Sequence, residues 1–302
     1  MVETNVKRRA VIDLGTNTFN LLIAEVGPGG LKVIYHDKKP VLLGMGGINE
    51  GQIANDALKR ARETLILFQE KCIELRVVEL FAIGTSALRG ASNRHALLDF
   101  ALNQLGMYIR VITGQDEARY IYQGVRISHP FEHTGLIMDI GGGSTEFIRA
   151  DKQGLQWGES FEIGVSRLYQ AMGQPDEFTP EHMEHIRNYL DTHCGAAIAE
   201  FRADELIGSS GTFETLYDIM SQEDFPDVDH SLELDIEQLK NVLTWSMRST
   251  LQERMDNPWI VPIRKKMLPV SAMKVLWALE KSGAKRIFVS PYSLKEGVLV
   301  EA

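Results

Sequence analysis

Cysteine is scarce in this chain: only Cys72 and Cys194 occur among 302 residues. Two cysteines outside any C-x-x-C pair build no disulfide framework, which fits a reducing compartment. Long apolar runs are also missing. No stretch approaches the roughly 20 residues that span a bilayer, and residues 1–9 are too polar for a signal peptide. There is no excess of positive charge. Thirty-two lysines and arginines stand against 41 aspartates and glutamates, a net charge of −9. A nucleic-acid coat feeds on the opposite balance, so a nucleic-acid polymer is not an expected partner, and neither is a membrane. An anionic ligand remains open where basic groups cluster locally. Two nucleotide signatures are lacking as well: no Gly-x-x-x-x-Gly-Lys-Ser/Thr, and no Gly-x-Gly-x-x-Gly leading into a helix.

What is present reads as an ordinary cytoplasmic globular protein. Hydrophobic residues make up 44% and charged residues 24%, and the length exceeds the roughly 100–200 residues of one domain, so two are expected. Residues 10–14, 21–26 and 31–35 read as a three-strand meander, with a turn at Gly27-Pro28-Gly29-Gly30. Residues 55–74 form an amphipathic helix. Leu58, Ala61, Leu65, Phe68 and Cys72 recur at steps of three and four, with Lys59, Arg60, Arg62 and Glu63 opposite. Strand 80–83, helix 91–105, strand 109–112 and helix 116–127 complete an α/β half.

After the break at Ser128-His129-Pro130 the opening motif returns. Ile12-Asp13-Leu14-Gly15-Thr16-Asn17-Thr18 is echoed by Met138-Asp139-Ile140-Gly141-Gly142-Gly143-Ser144. In each copy a strand delivers Asp, an apolar residue, Gly and a small polar turn, and a second apolar strand follows. Copies at domain-sized spacing point to two halves of one fold. The second half continues with strand 155–163, helix 182–201, strand 206–208, a helix from Phe213, a polar loop over 221–230, helices 235–248 and 270–281, strand 286–290 and a last helix, 292–300.

Four turns share one chemistry. At Asp13–Thr18, Gly84–Ser86, Asp139–Thr145 and Gly208–Thr212 an apolar strand opens into Gly, Ser and Thr. Glycine admits an anion close to the backbone, and successive amides make a nest for phosphate oxygens. Two of these turns carry a strand-end aspartate, where a carboxylate can face a phosphate-bound divalent cation such as Mg²⁺.

With Gly84-Thr85-Ser86-Ala87-Leu88-Arg89, Thr113-Gly114-Gln115-Asp116-Glu117-Ala118, Asp139-Ile140-Gly141-Gly142-Gly143-Ser144-Thr145-Glu146, Gly208-Ser209-Ser210-Gly211-Thr212 and Ser293-Leu294-Lys295-Glu296-Gly297 following the first motif in order, the chain resembles the exopolyphosphatase / guanosine pentaphosphate phosphohydrolase (Ppx/GppA) family over nearly its whole length. The glycine-rich loops alone would indicate only the wider actin/sugar-kinase/Hsp70 superfamily. The resemblance implies an α/β fold of two actin-like, ribonuclease H-like domains with an active-site cleft between them. The first is expected to be residues 1–121 with the returning 293–302, the second 122–292. It also implies Mg²⁺-dependent hydrolysis of the terminal phosphate of polyphosphate, of guanosine pentaphosphate, or of both, and it allows a homodimer. The HD-type domain of longer members is not matched here, and His36-Asp37 is not its motif.

The same resemblance assigns roles. Glu117 corresponds to the general base that activates water, and Arg89 to an arginine on phosphate. Asp13, Gly15, Thr16, Asn17, Thr18, Thr85, Ser86, Gly141, Gly142, Gly143, Ser144, Thr145, Gly208, Ser209, Ser210, Gly211 and Thr212 would ring the phosphates. Asp139 and Glu146 would hold the metal. Leu42 stands where relatives often carry a basic residue, and Asp116 reads as a solvated first-turn acid. His182 and His185 share a helix face but find no third ligand. Arg264-Lys265-Lys266 is a candidate track for a long polyanion. A kinase of the same superfamily and a nucleotide sensor without turnover remain alternatives; phosphate release with no acceptor present separates all three.

Overall fold

The computed structural model describes residues 7–27, 30–200 and 202–301. Pro28 and Gly29 of the first expected turn, and Phe201 at an expected helix end, lie outside the described residues. The chain divides into two compact units, Met1–Gly124 with Leu294–Ala302, and Val125–Ser293.

The first unit is built on β1 (Lys7–Leu14), β2 (Thr18–Gly27), β3 (Gly30–Pro40), β4 (Glu79–Gly84) and β5 (Ile109–Val111), in sheet order β3-β2-β1-β4-β5. The meander is antiparallel, while β1, β4 and β5 run parallel. Strand alternation sends Ala10, Ile12 and Leu14 into one core, where they meet Leu58, Ala61, Leu65 and Phe68 of α1 (Asn55–Glu74). The apolar stripe of that helix is the one read from its periodicity. A five-residue α2 (Ser86–Gly90) was not anticipated, and α3 starts only at His95 (His95–Leu105). The reason lies at Ser92 and Asn93, which spend their hydrogen bonds on Gly51 and Ile53 and not on a helix. Helix α4 (Gly114–Ser128) begins in this unit. The last helix of the chain, Leu294–Glu301, meets α4 where a Cβ on Gly297 would lie 1.8 Å from the Tyr120 carbonyl oxygen. Only glycine permits that approach.

The second unit repeats the plan. Its strands are β6 (Gly135–Ile140), β7 (Thr145–Asp151), β8 (Gly154–Phe161), β9 (Glu205–Ser209), β10 (Leu232–Leu234) and β11 (Arg286–Val289), in order β10-β11-β9-β6-β7-β8. Again a three-strand antiparallel meander is followed by parallel neighbours, β6 with β9 and β9 with β11. One face carries Leu136, Met138, Ile140 and Phe147 into a core with Trp277, Val275 and Leu216. Helix α5 (Val165–Ala171), α10 (Leu251–Asp256) and β10 were not anticipated. The expected helix at 182–201 is α6 (Pro180–Leu190), a π-helical turn (Asp191–Gly195) and α7 (Ala196–Ala199). Then come α8 (Gly211–Ser221), α9 (Ile236–Arg248) and α11 (Leu268–Ser282). The last helix is therefore α12. This mixed α/β fold on two sheets is the actin-like arrangement that the resemblance implies. No helix among the described residues is long and apolar enough to cross a membrane.

Candidate active site

In open α/β sheets, ligands bind outside the carboxyl ends of parallel strands. All four small-residue turns sit there, two in each unit. In the first unit the turn after β1 closes with a hydrogen bond from the Gly15 amide to the Thr18 carbonyl, 3.1 Å. Thr85, after β4, directs its amide and hydroxyl at the Leu14 carbonyl, both at 3.5 Å. The turns holding Asp13–Thr18 and Thr85-Ser86 are thus joined. Thr16 and Ser86 are buried. Backbone bonds from Leu42 and Gly44 to the Asn17 and Thr16 carbonyls, 2.8 and 3.0 Å, seat the following loop on the first turn. Leu42 adopts a φ of 53° there.

Arg89, at the end of α2, reaches Glu117 in the first turn of α4. Its Nη1 donates to Oε2 at 2.8 Å and to the Ile112 carbonyl at 3.3 Å. Glu117 is 6% exposed. The pair places a buried carboxylate and a phosphate-matching guanidinium at one point. Arg89 also lines a cavity of about 490 Å³ with Arg94, His95, Asp99 and Thr113. Asp116 turns away, bonded to Thr113 and Arg119.

In the second unit the corresponding turn closes identically, Gly141 amide to Ser144 carbonyl, 3.1 Å. Here the carbonyls of Gly141, Gly142 and Gly143 all accept from the start of α5: from Val165, from Ser166 and Arg167, and from Gly164. A trans peptide opposes its C=O and N–H, so the amides of Gly142, Gly143 and Ser144 face away from α5. Those of Gly142 and Gly143 have no protein acceptor among the described residues. Three parallel donors form the nest an anion requires. Gly164 is obligatory to this docking, since a Cβ would come 2.3 Å from Gly142.

The strand register then lines up a row: Ser209 on β9, Asp139 on β6, Glu146 on β7 and Ser160 on β8 are successive cross-strand partners. Asp139 and Glu146 are 8% and 2% exposed. Asp139 Oδ2 accepts from the hydroxyls of Ser209, at 2.7 Å, and Ser293; Glu146 Oε1 accepts from Ser160 at 2.6 Å. Like charges directly opposite repel, and a cation held there would relieve the pair. Hard oxygen donors suit Mg²⁺, which takes one or two carboxylates and completes its shell with water and phosphate oxygens.

The turn after β9 carries strain. Ser210 has φ 77° and ψ 164°, a region belonging almost entirely to glycine. Its hydroxyl donates to the Ile140 carbonyl at 3.3 Å, which fixes this turn to the end of β6. Gly208 lies under the Phe213 ring, 2.0 Å from where a Cβ would stand, and Gly211 and Thr212 open α8.

Thr145 departs from its expected role. It points to the opposite face of β7 from Glu146, is fully buried, and accepts from Lys274 Nζ, which also donates to the Ile163 carbonyl. Its hydroxyl serves the interior and not the phosphate side. Lys274 is wholly buried, and burial pulls its ammonium down to about 7, against the pull of Cys194 and Glu146. Lys274, Ser160 and Ser293 escaped the sequence reading of roles. The available signal for Lys274 was a lysine inside the apolar run of α11.

The basic run is tied down locally. Arg264 donates to Thr215 at 3.0 Å, Lys265 to the carbonyls of Met255 and Asn257, and Lys266 pairs with Asp176 at 3.3 Å. His182 closes a capping box with Thr179 at the start of α6.

The model of the Ppx/GppA phosphatase family matches residues 22–302. The chain is similar to a guanosine-5'-triphosphate,3'-diphosphate pyrophosphatase of Photobacterium profundum, 25% identical over 295 residues, covering 97% of this chain and 58% of that protein. It is 31% identical over 221 residues to a putative exopolyphosphatase of Haemophilus influenzae, covering 72% and 68%. The crystal structure of an exopolyphosphatase from Cytophaga hutchinsonii superposes with a TM-score of 0.93 at 36% identity over 97% of both chains. The Aquifex aeolicus member of the family gives 0.82 at 26% identity, covering 98% and 97%. The chain spans a little over half the length of the Photobacterium relative.

Proposed function

Since the chain belongs to the Ppx/GppA phosphatase family, we propose that it is a Mg²⁺-dependent phosphohydrolase that removes the terminal phosphate from inorganic polyphosphate, guanosine pentaphosphate, or both. The observation that carries this reading is the ion pair between Arg89 and the buried carboxylate of Glu117. Phosphoryl transfer asks for charge neutralisation and a positioned nucleophile, with little covalent chemistry. Arg89 turns its fork to the phosphate oxygens and releases Glu117. The freed carboxylate orients a water and takes its proton as the oxygen approaches phosphorus. Gly142, Gly143 and Ser144 donate their amides to the phosphate, and the turns at Gly15–Thr18 and Ser209–Thr212 add further donors. Asp139 and Glu146 would hold Mg²⁺, which when bound neutralises phosphate charge.

Two buried free cysteines support a cytoplasmic location. Phosphate release across polyphosphate lengths, guanosine pentaphosphate and ATP, with no acceptor present, tests the reading. Turnover of ATP only with an added acceptor would make the protein a kinase, and binding without release a sensor.

A further inference from the structure

Lys274 lies wholly inside the second unit, yet every atom it bonds belongs to a segment that borders the phosphate nest. Thr145 follows the nest directly and opens β7. Ile163 precedes Gly164, whose amide, with those of Val165, Ser166 and Arg167, holds the nest carbonyls. One Nζ therefore joins the exit of the 141–144 loop to the segment on which it is seated. We propose that Lys274 is a positioning residue for phosphate binding: a buried two-acceptor bridge that fixes the 141–144 loop against the start of α5 and so aims the amides of Gly142, Gly143 and Ser144. This rests on the phosphate-binding reading of that loop.

The chemistry suits lysine. An amine retains two N–H donors even when neutral, and its acceptors here are two, the Thr145 hydroxyl and the Ile163 carbonyl. The bridge thus needs no charge, and a buried neutral donor costs far less than a buried cation. Removing it strands two interior acceptors, each unmade bond costing more than a made one contributes. The loop itself is three glycines and Ser144, with little side chain of its own to resist the loss.

The test compares Lys274→Met, which keeps length and apolar bulk, with Lys274→Gln, which keeps an amide carrying two donors. Hydrogen exchange is read along the whole chain, and inorganic phosphate binding with Mg²⁺ is titrated directly. In Lys274→Met, amides 164–167 should exchange roughly tenfold faster or more, and phosphate should bind weaker by a similar factor. Lys274→Gln should recover both to within about threefold, as two donors remain for the two acceptors. Unchanged exchange at 164–167 in a folded Lys274→Met would overturn the proposal. So would acceleration spread evenly along α11, the mark of a packing defect. Should Lys274→Met fail to fold, Thr145→Val deletes one arm of the bridge and must loosen the same four amides. An exchange effect in a protein that binds no phosphate at all would support the bridge and defeat the functional reading, so the two can fail separately.

Discussion

At the same station of the two sheets the units carry different chemistry. In the first, Ile83, Asp13, Asn20 and Lys38 stand in a row across β4, β1, β2 and β3. In the second the row is Ser209, Asp139, Glu146 and Ser160 across β9, β6, β7 and β8. The hairpin turns beside them close with the same 3.1 Å bond. The backbone plan is therefore shared and the charge plan is not. Asp13 is answered by an amide, 3.0 Å away on Asn20, with a lysine one strand further on. Asp139 faces a second carboxylate, and the neighbours of the pair are hydroxyls. A duplicated scaffold thus carries the Arg89–Glu117 ion pair in one unit and the facing carboxylates Asp139 and Glu146 in the other.

The sharpest way to break this division is at the base. Glu117→Gln should cost roughly 10²–10⁴ in kcat while leaving KM near its original value, because activating water belongs mainly to the transition state. Steady-state phosphate release reads it, and wild-type turnover would remove Glu117 from its role.

The next test is the acidic pair. Chelation should abolish turnover and Mg²⁺ restore it. Asp139→Asn should lower activity at limiting Mg²⁺ by about tenfold or more, since the negative charge of the pair is halved. Asp13→Asn, at the matching station, should leave the Mg²⁺ midpoint where it was. Equal shifts in both variants would erase the contrast between the units.

Lys274 gives a smaller, purely thermodynamic signature. Its folded-state value of about 7 lies below its ordinary 10.5, so between those pH values the unfolded chain holds a proton that the folded chain has released. Folding stability from this group is then lowest below about pH 7 and climbs as pH rises towards 10.5. Melting curves of the wild type should gain on Lys274→Met across that window, and a constant difference between them would contradict the burial.

Smallest of all is the effect of making the first row resemble the second. Asn20→Asp sets two carboxylates opposite each other beside Lys38, which should cost about 0.2–1 kcal/mol without creating a second metal requirement. Thermal unfolding with and without Mg²⁺ decides it. Stabilisation by Mg²⁺ in the variant alone would mean that two facing acids suffice to build the site.

Much of this was legible from local pattern. Helix 55–74 was readable end to end because its apolar stripe follows the helical period and each residue reports its own face. The repeat of Asp13 and Asp139 was readable because Gly and a small polar turn after a strand permit few backbone shapes. Less legible were the short elements whose signal is spent on partners elsewhere: Ser92 and Asn93, which delay α3, and α5, whose first amides are used by the 141–144 loop.

By itself the sequence determined two α/β halves and four glycine-rich turns at strand ends, since each depends on residues close together in the chain; Arg89, Glu117, Asp139 and Glu146 were singled out by the family resemblance. Only the tertiary structure decided which groups share a site. Arg89 meets Glu117 across 28 residues, Ser293 meets Asp139 across 154, and Lys274 meets Thr145 across 129. It also turned Thr145 inward while leaving Glu146 beside Asp139. The reason is the two-residue period of a strand, which assigns a side chain to one face or the other only once register and packing fix which face is the core.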